Sequence, residues 1–327
     1  MPNTSSSILF ALVMTMACTC CYALDSGEKT ARNAGFYLPD SLQEVTFRYK
    51  RIDNLILIPV TINDSIRLNL ILDTGCRNVV LFGKRFSKKF EVHPKMKVEF
   101  SGLGSGSPVN GQVSLNNKVA INAVLGERIP VVIVPDPNLF GTYTNVDGVI
   151  GYDIFIKFEV ELQSSQQLIT FRPAQTATRN DSYNLIPIRV EDSRPVISSS
   201  LLLDGKQHAL DVMIDTGSSL GLVLKSNNER QYSSRGVHRP LGRGLNGTIE
   251  GTLVRAEWLL LQSFQINRLT AGVVHSDWSN TSSIGMDVLR EYSVVLNYCK
   301  GYIGLKRDDS LHEIASKRSQ ATARADF

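Results

Sequence analysis

The chain has 327 residues, of which 43% are hydrophobic and 20% charged, with a formal net charge of +4. That length and balance suit one large or two medium globular domains with a sizeable core, and they exclude global disorder. The positive charge is mild and scattered, with short runs only at Lys84-Arg85 and Lys88-Lys89. These read as a solvated helical face, so no nucleic-acid partner is expected.

In chain order, the first feature is the apolar run ILFALVMTMA at residues 8–17. It is short for a membrane span and suits the core of a signal peptide. Cleavage after Ala23 would make residues 1–23 a signal peptide. The alternative is a lipoprotein leader, with a lipid on Cys18 attaching the protein to a membrane. Both predict an exported protein, whether periplasmic, at the cell surface or secreted. Cys18, Cys20 and Cys21 belong to this leader, leaving Cys76 and Cys299 in the mature chain. That excludes a disulfide framework, and no spacing suits a metal site, so neither metal nor cofactor is expected. Residues 24–44 form an N-terminal extension, to be read as a propeptide or as part of the fold.

Two strand-like segments follow, LILIPVTI (55–62) and IRLNLILDTG (66–75), joined by a polar turn at Asn63-Asp64-Ser65. The second alternates, with Leu70 and Leu72 on one face and Asn69, Ile71 and Asp73 on the other. A glycine-rich stretch, SGLGSGSPVNGQV (101–113), leads into β-type sequence at 118–134. Then come DGVIGYDIF (147–155), a short helix and a final hairpin over 155–171. After a polar linker at 173–184 the same order returns. PVISSSLLLDG (195–205) and HALDVMIDTG (208–217) are followed by LGRGLNGTIEGTL (241–253), β-type sequence at 254–274, SSIGMDVL (282–289) and a hairpin over 290–305. The charged tail from 307 to 327 is expected to be mobile. An isolated Asp-Thr-Gly is an ordinary turn. Agreement of the whole order in two halves points instead to an internal repeat.

Apolar-Asp-Thr-Gly followed downstream by Ile-Gly-x-Asp, twice, resembles the retropepsin-like domain, and the whole resembles a single-chain aspartic peptidase of the pepsin clan over about residues 45–306. The resemblance implies an all-β protein of two homologous closed-barrel lobes, 45–172 and 185–306, with the active site in the cleft between them. It implies a monomer acting on polypeptide substrates as an aspartic endopeptidase, with Asp73 and Asp215 catalytic. Two carboxylates side by side share one proton, so one serves as base and the other as acid. Thr74, Gly75 and Cys76, with Thr216, Gly217 and Ser218, would support the active loops. The threonines bond across the interface in the family. Gly102, Gly104, Gly106, Gly244 and Gly247 fall where the family carries β-hairpin flaps. Cys76 departs from the usual Ser, Thr or Ala, and the first flap lacks the tyrosine of pepsins. The alternative function is an inactive peptide-binding or surface protein on the same scaffold.

Other residues take plainer readings. Asp211 is solvated, Asp153 and Asp287 cap short helices, and Tyr152 belongs to the core. Cys76 is a small buried residue and not a nucleophile, since the histidines at 93, 208, 238, 275 and 312 form no pattern with it.

Overall fold

Four tight turns set the strand registers: Asp53-Asn54 (φ 42° and 70°), Asn63-Asp64 (49° and 61°), Asp192-Ser193 (46° and 69°) and Asp204-Gly205 (49° and 70°). Positive φ at both central residues is the hairpin turn that Asn, Asp and Gly adopt at least cost. Each turn therefore locks one antiparallel pair, such as Ile62 opposite Ile66 and Leu203 opposite Lys206. The computed structural model describes residues 34–135, 145–228, 231–232, 236–277 and 279–308. The leader and nearly all of the tail lie outside these.

The described residues are all-β, with two four-residue α-helices, Tyr152–Phe155 and Met286–Leu289. None of their helices is long and apolar enough to cross a membrane. Strands from residues 35–150 build a nine-stranded sheet, and strands from residues 189–285 build an eight-stranded one. Both have the same centre. In the first, Gly148–Ile150 lies between Ile66–Leu72 and Val79–Phe82, parallel to the former and antiparallel to the latter. In the second, Ser282–Gly285 lies in the same way between Lys206–Asp215 and Leu222–Ser226. Each Asp-Thr-Gly word thus leaves the end of a central strand, with the Ile-Gly strand beside it.

The alternation read from the sequence holds, but both faces are buried. Leu70 and Leu72 enter the large core, while Ile71 enters a second cluster with Leu55, Leu57, Cys76, Val80 and Phe82. The final hairpins do not stay with their own halves. They join in a six-stranded sheet ordered Asn184–Pro187, Tyr302–Arg307, Tyr292–Asn297, Phe158–Gln163, Leu168–Pro173, Val45–Arg48. The seam is the pairing of Val160 with Leu296 and Leu162 with Val294, all buried.

Two expectations change. Neither Asp153 nor Asp287 caps a helix: the cap positions are Gly151 and Gly285, without a side-chain cap, because each helix starts straight from the Ile-Gly strand. The acids sit in the first turn. Lys84-Arg85 lie in a 3-10 turn, Lys84–Phe86, where Arg85 pairs with Asp147, while Lys88 and Lys89 lie outside any helix.

The extension is part of the fold from residue 34 onward. Gly35–Tyr37 pairs with Val124–Val134, and Phe36 is 3% exposed in the large core. Phe36→Ala is expected to destabilise the protein by about 3–5 kcal/mol in urea unfolding. An unchanged midpoint would mean that this strand contributes nothing to the core.

Candidate active site

The Asp73 and Asp215 loops meet at the contact between the halves, and the two threonines hold them. Thr74 N–H donates to Thr216 Oγ1 at 3.0 Å, and Thr216 N–H donates to Thr74 Oγ1 at 3.0 Å. Each hydroxyl also donates across the contact, Thr74 Oγ1 to the Ile214 carbonyl at 2.7 Å and Thr216 Oγ1 to the Leu72 carbonyl at 2.8 Å. Both residues are fully buried. These four reciprocal bonds tie the strand that ends at one aspartate to the loop that follows the other.

The carboxylates are fully buried beside this latch. Gly75 N–H donates to Asp73 Oδ1 at 2.7 Å, and Gly217 N–H donates to Asp215 Oδ1 at 3.1 Å. The second oxygen of each, Oδ2, has no protein hydrogen-bond partner. Only glycine fits at position 217, where a Cβ would fall 2.2 Å from Asp73 Cγ, whereas one on Gly75 would be merely tight, 3.1 Å from Asp73 Oδ1 and 3.6 Å from Asp215 Oδ1. The two acids therefore crowd one another. Burial pushes the Asp73 carboxyl well above its usual range, and the charge of Asp215 adds to the shift. Burial also raises Asp215, to about 6, against the opposing pull of Lys225 and of the Gly217 N–H.

The Ile-Gly strands close each loop from behind. Asp73 N–H donates to the Ile150 carbonyl, Tyr152 N–H to the Cys76 carbonyl and Met286 N–H to the Ser218 carbonyl, each at 2.8 Å. Cys76 and Ser218 thus play equivalent backbone parts. Their side chains differ: the Cys76 thiol donates to the Asn78 carbonyl at 3.0 Å, while Ser218 Oγ accepts from Leu220 N–H at 3.3 Å. Burial and the Asp73 charge push the Cys76 thiol up, away from the thiolate that a nucleophile requires. Its plain reading as a small buried residue stands.

The glycine-rich stretches are hairpin connections, and the two meet. Gly106 N–H donates to the Asn246 carbonyl at 2.6 Å, Ser105 N–H to the Thr248 carbonyl at 3.2 Å, and Asn246 Nδ2 to the Gly106 carbonyl at 2.9 Å. Gly102, Gly104 and Gly106 therefore face the turn flanked by Gly244 and Gly247. Each tip seats a leucine in the opposite half. Leu245 joins the cluster of Ile71 and Cys76, and Leu103 packs on Leu220, Val223, Leu241, Ile249 and Val274.

The remaining residues separate cleanly. Asp211 lies on the surface, paired with Arg189 at 3.0 Å. Tyr152 packs on the core beside Tyr298, with ring centroids 6.1 Å apart. His238 is exposed near Glu250, and His312 lies outside the described residues. Three groups near the carboxylates escaped the sequence reading. Tyr298 is buried within electrostatic reach of both aspartates, and its hydroxyl lacks a protein partner. Arg194 acts on both carboxylates, and Lys225 lowers Asp215. The usable signal lay in aligning the halves strand by strand, which sets Arg194 and Lys225 against apolar residues.

Comparison with known proteins agrees with this geometry. A family model described as aspartyl protease matches residues 58–154, which hold the Asp73 loop and the Ile150-Gly151 strand. The match supports an aspartyl protease domain in this part of the chain. No curated protein matches.

The latch is directly testable. Thr74→Val removes the partners of Thr216 N–H and of the Ile214 carbonyl, at an expected cost of about 3 kcal/mol in urea unfolding. Thr74→Ser keeps the hydroxyl and should cost under about 1 kcal/mol. Equal losses in the two variants would show that the hydroxyl is not what holds the loops.

Proposed function

We propose that the protein is an exported aspartic endopeptidase in which Asp73 and Asp215, one from each half, activate a single water against an internal peptide bond. The reading includes two homologous retropepsin-like lobes in one monomeric chain, with the glycine-rich hairpins as flaps over an extended substrate. The observation that carries it is the threonine latch, which holds two buried carboxylates together with one oxygen of each left to a reacting partner.

The chemistry follows from that arrangement. Two acids this close cannot both ionise, so the resting pair carries one proton, and their titration belongs to the pair. Lys225 pulls on Asp215 and favours its ionised form, so we assign the proton to Asp73. Asp215 takes a proton from water as its oxygen bonds to the amide carbon, and Asp73 gives its proton to the carbonyl oxygen. The neutral diol then collapses. The carbon–nitrogen bond breaks, Asp215 returns its proton to the leaving nitrogen, and Asp73 recovers one from a diol hydroxyl. Buried donors beside the carboxylates are already oriented, which is the main source of such rate gains. An extended peptide under the hairpins would be held through its backbone.

Asp73→Asn and Asp215→Asn are each expected to abolish cleavage of an unstructured protein substrate, a loss on the order of a thousandfold or more, while the fold survives. Peptide binding without cleavage, in the parent and both variants alike, would instead identify a non-catalytic peptide-binding protein.

The pH profile should carry the mark of burial. Activity needs the singly protonated pair, so kcat/KM should fall on the acid side as Asp215 takes up a proton near 6. It should fall on the alkaline side as Asp73 loses its own. A rate still climbing below about pH 4, the range of unshifted carboxyls, would contradict the raised values.

A further inference from the structure

Each half carries a recess beside the strand that leads to its aspartate. One, of about 500 Å³, is lined by residues 65–68, by Arg85, Phe86 and Lys89 from the turn after the next strand, and by Asp147. The other, of about 450 Å³, has Ala209, Leu210 and Asp211, then Gln231 and Tyr232, then Thr281 in its lining. The two occupy equivalent places. Arg67 and Ala209 each stand six residues before an aspartate. Asp147 and Thr281 each precede the strand that runs parallel to the aspartate's own, with Gly148 opposite Leu70 and Ser282 opposite Val212. Six extended residues span about 20 Å, so Arg67 lies far from the carboxylate pair.

The backbone supplies this hollow twice, and the side chains make the two unlike. The second recess has no lysine or arginine in its lining, and its acid, Asp211, is paired with Arg189. The first sets three cations, Arg67, Arg85 and Lys89, against the single carboxylate of Asp147. That carboxylate is already engaged: Oδ2 accepts from Asn69 N–H at 2.8 Å, and Oδ1 accepts from Nη2 of Arg85. The Arg85 guanidinium also lies over the Phe86 ring, 4.7 Å from its centroid. It is thus held from two sides, and its Nε and Nη1 donors make no hydrogen bond to a described residue. Arg67 and Lys89 are exposed and form no ion pair with a described residue. Lys84 and Lys88, exposed in the same short stretch, strengthen the positive field at the mouth.

An excess of two positive charges, with donors arriving from a strand and from a turn, suits an anion that carries two charges and accepts from several directions. A phosphate group does both, whereas a carboxylate has one charge and one accepting edge. We propose that Arg67, Arg85 and Lys89 form a binding site for a phosphate-type dianion, one per chain, and that the matching recess of the second half takes none. The site is separate from the aspartates and stands whether or not they catalyse. Free phosphate and the phosphomonoester headgroup of a lipid offer the same chemistry, and two probes tell them apart.

Calorimetric titration of the whole chain with inorganic phosphate at low ionic strength tests the soluble source. Vesicles of phosphatidylcholine containing phosphatidic acid, set against phosphatidylcholine alone, test the lipid source. Arg67→Gln and Lys89→Gln should each weaken binding about tenfold, the scale of one charge-assisted hydrogen bond. Both side chains are exposed, so neither variant puts folding at risk. Lys206→Gln removes an equal charge from the second half and should leave the affinity within about twofold. Saturation of one site by inorganic phosphate supports the proposal with a soluble ligand. Selective binding of the phosphatidic acid vesicles alone, weakened in Arg67→Gln, supports it with a lipid headgroup. Binding of neither probe, two equal phosphate sites per chain, or a loss in Lys206→Gln as large as in Arg67→Gln would overturn it.

Discussion

Everything at this site depends on the four hydrogen bonds between Thr74 and Thr216 and the strand ends at Ile214 and Leu72. A buried carboxylate is costly, and two within electrostatic reach of each other are costlier, so left to themselves the loops would separate and hydrate their acids. The latch opposes this with buried bonds whose loss would strand polar groups away from water. Each threonine satisfies the other's backbone, so neither loop is complete without its counterpart. The raised affinity of both aspartates for protons is the electrostatic image of that constraint.

Around the latch the two halves repeat one plan and fill it differently. The central strands, the Ile-Gly strand beside each and the four-residue helix after it correspond register by register. The side chains do not. Phe82 stands where the other half has Lys225, so an arrangement that is nearly two-fold in its backbone is charged differently in its two halves. The hairpins follow the backbone and ignore the difference, each sending a leucine across to the far side.

Much of this was legible in the sequence, because periodic signals and turn chemistry act locally. Alternation in 66–72, Asn-Asp and Asp-Gly turns, and the doubled Asp-Thr-Gly and Ile-Gly words mark strands and loops without help from distant residues. What stayed hidden depends on partners far along the chain. The residues of Phe158–Gln163 do not reveal that their edge will pair with Tyr292–Asn297, since strand identity says nothing about which edge is left open. Arg194 falls one residue before the strand expected from 195, and Lys225 one residue after an apolar run. Neither position carries a local signal of its own, whereas tertiary packing buries the lysine. The glycine caps of the short helices were misread because Asp153 and Asp287 look like capping residues until the chain is seen to enter each helix straight from a strand.

The shared six-stranded sheet also bears on the order of events during synthesis. Its middle joins a hairpin that ends at Pro173 to one that ends at Arg307, and its far edge is supplied by Val45–Arg48. A nascent first half emerges from the ribosome with the strand Phe158–Gln163 unpaired on one side, and it stays so until the last hairpin follows. The threonine latch needs both loops, so a chain that ends before Thr216 cannot form it.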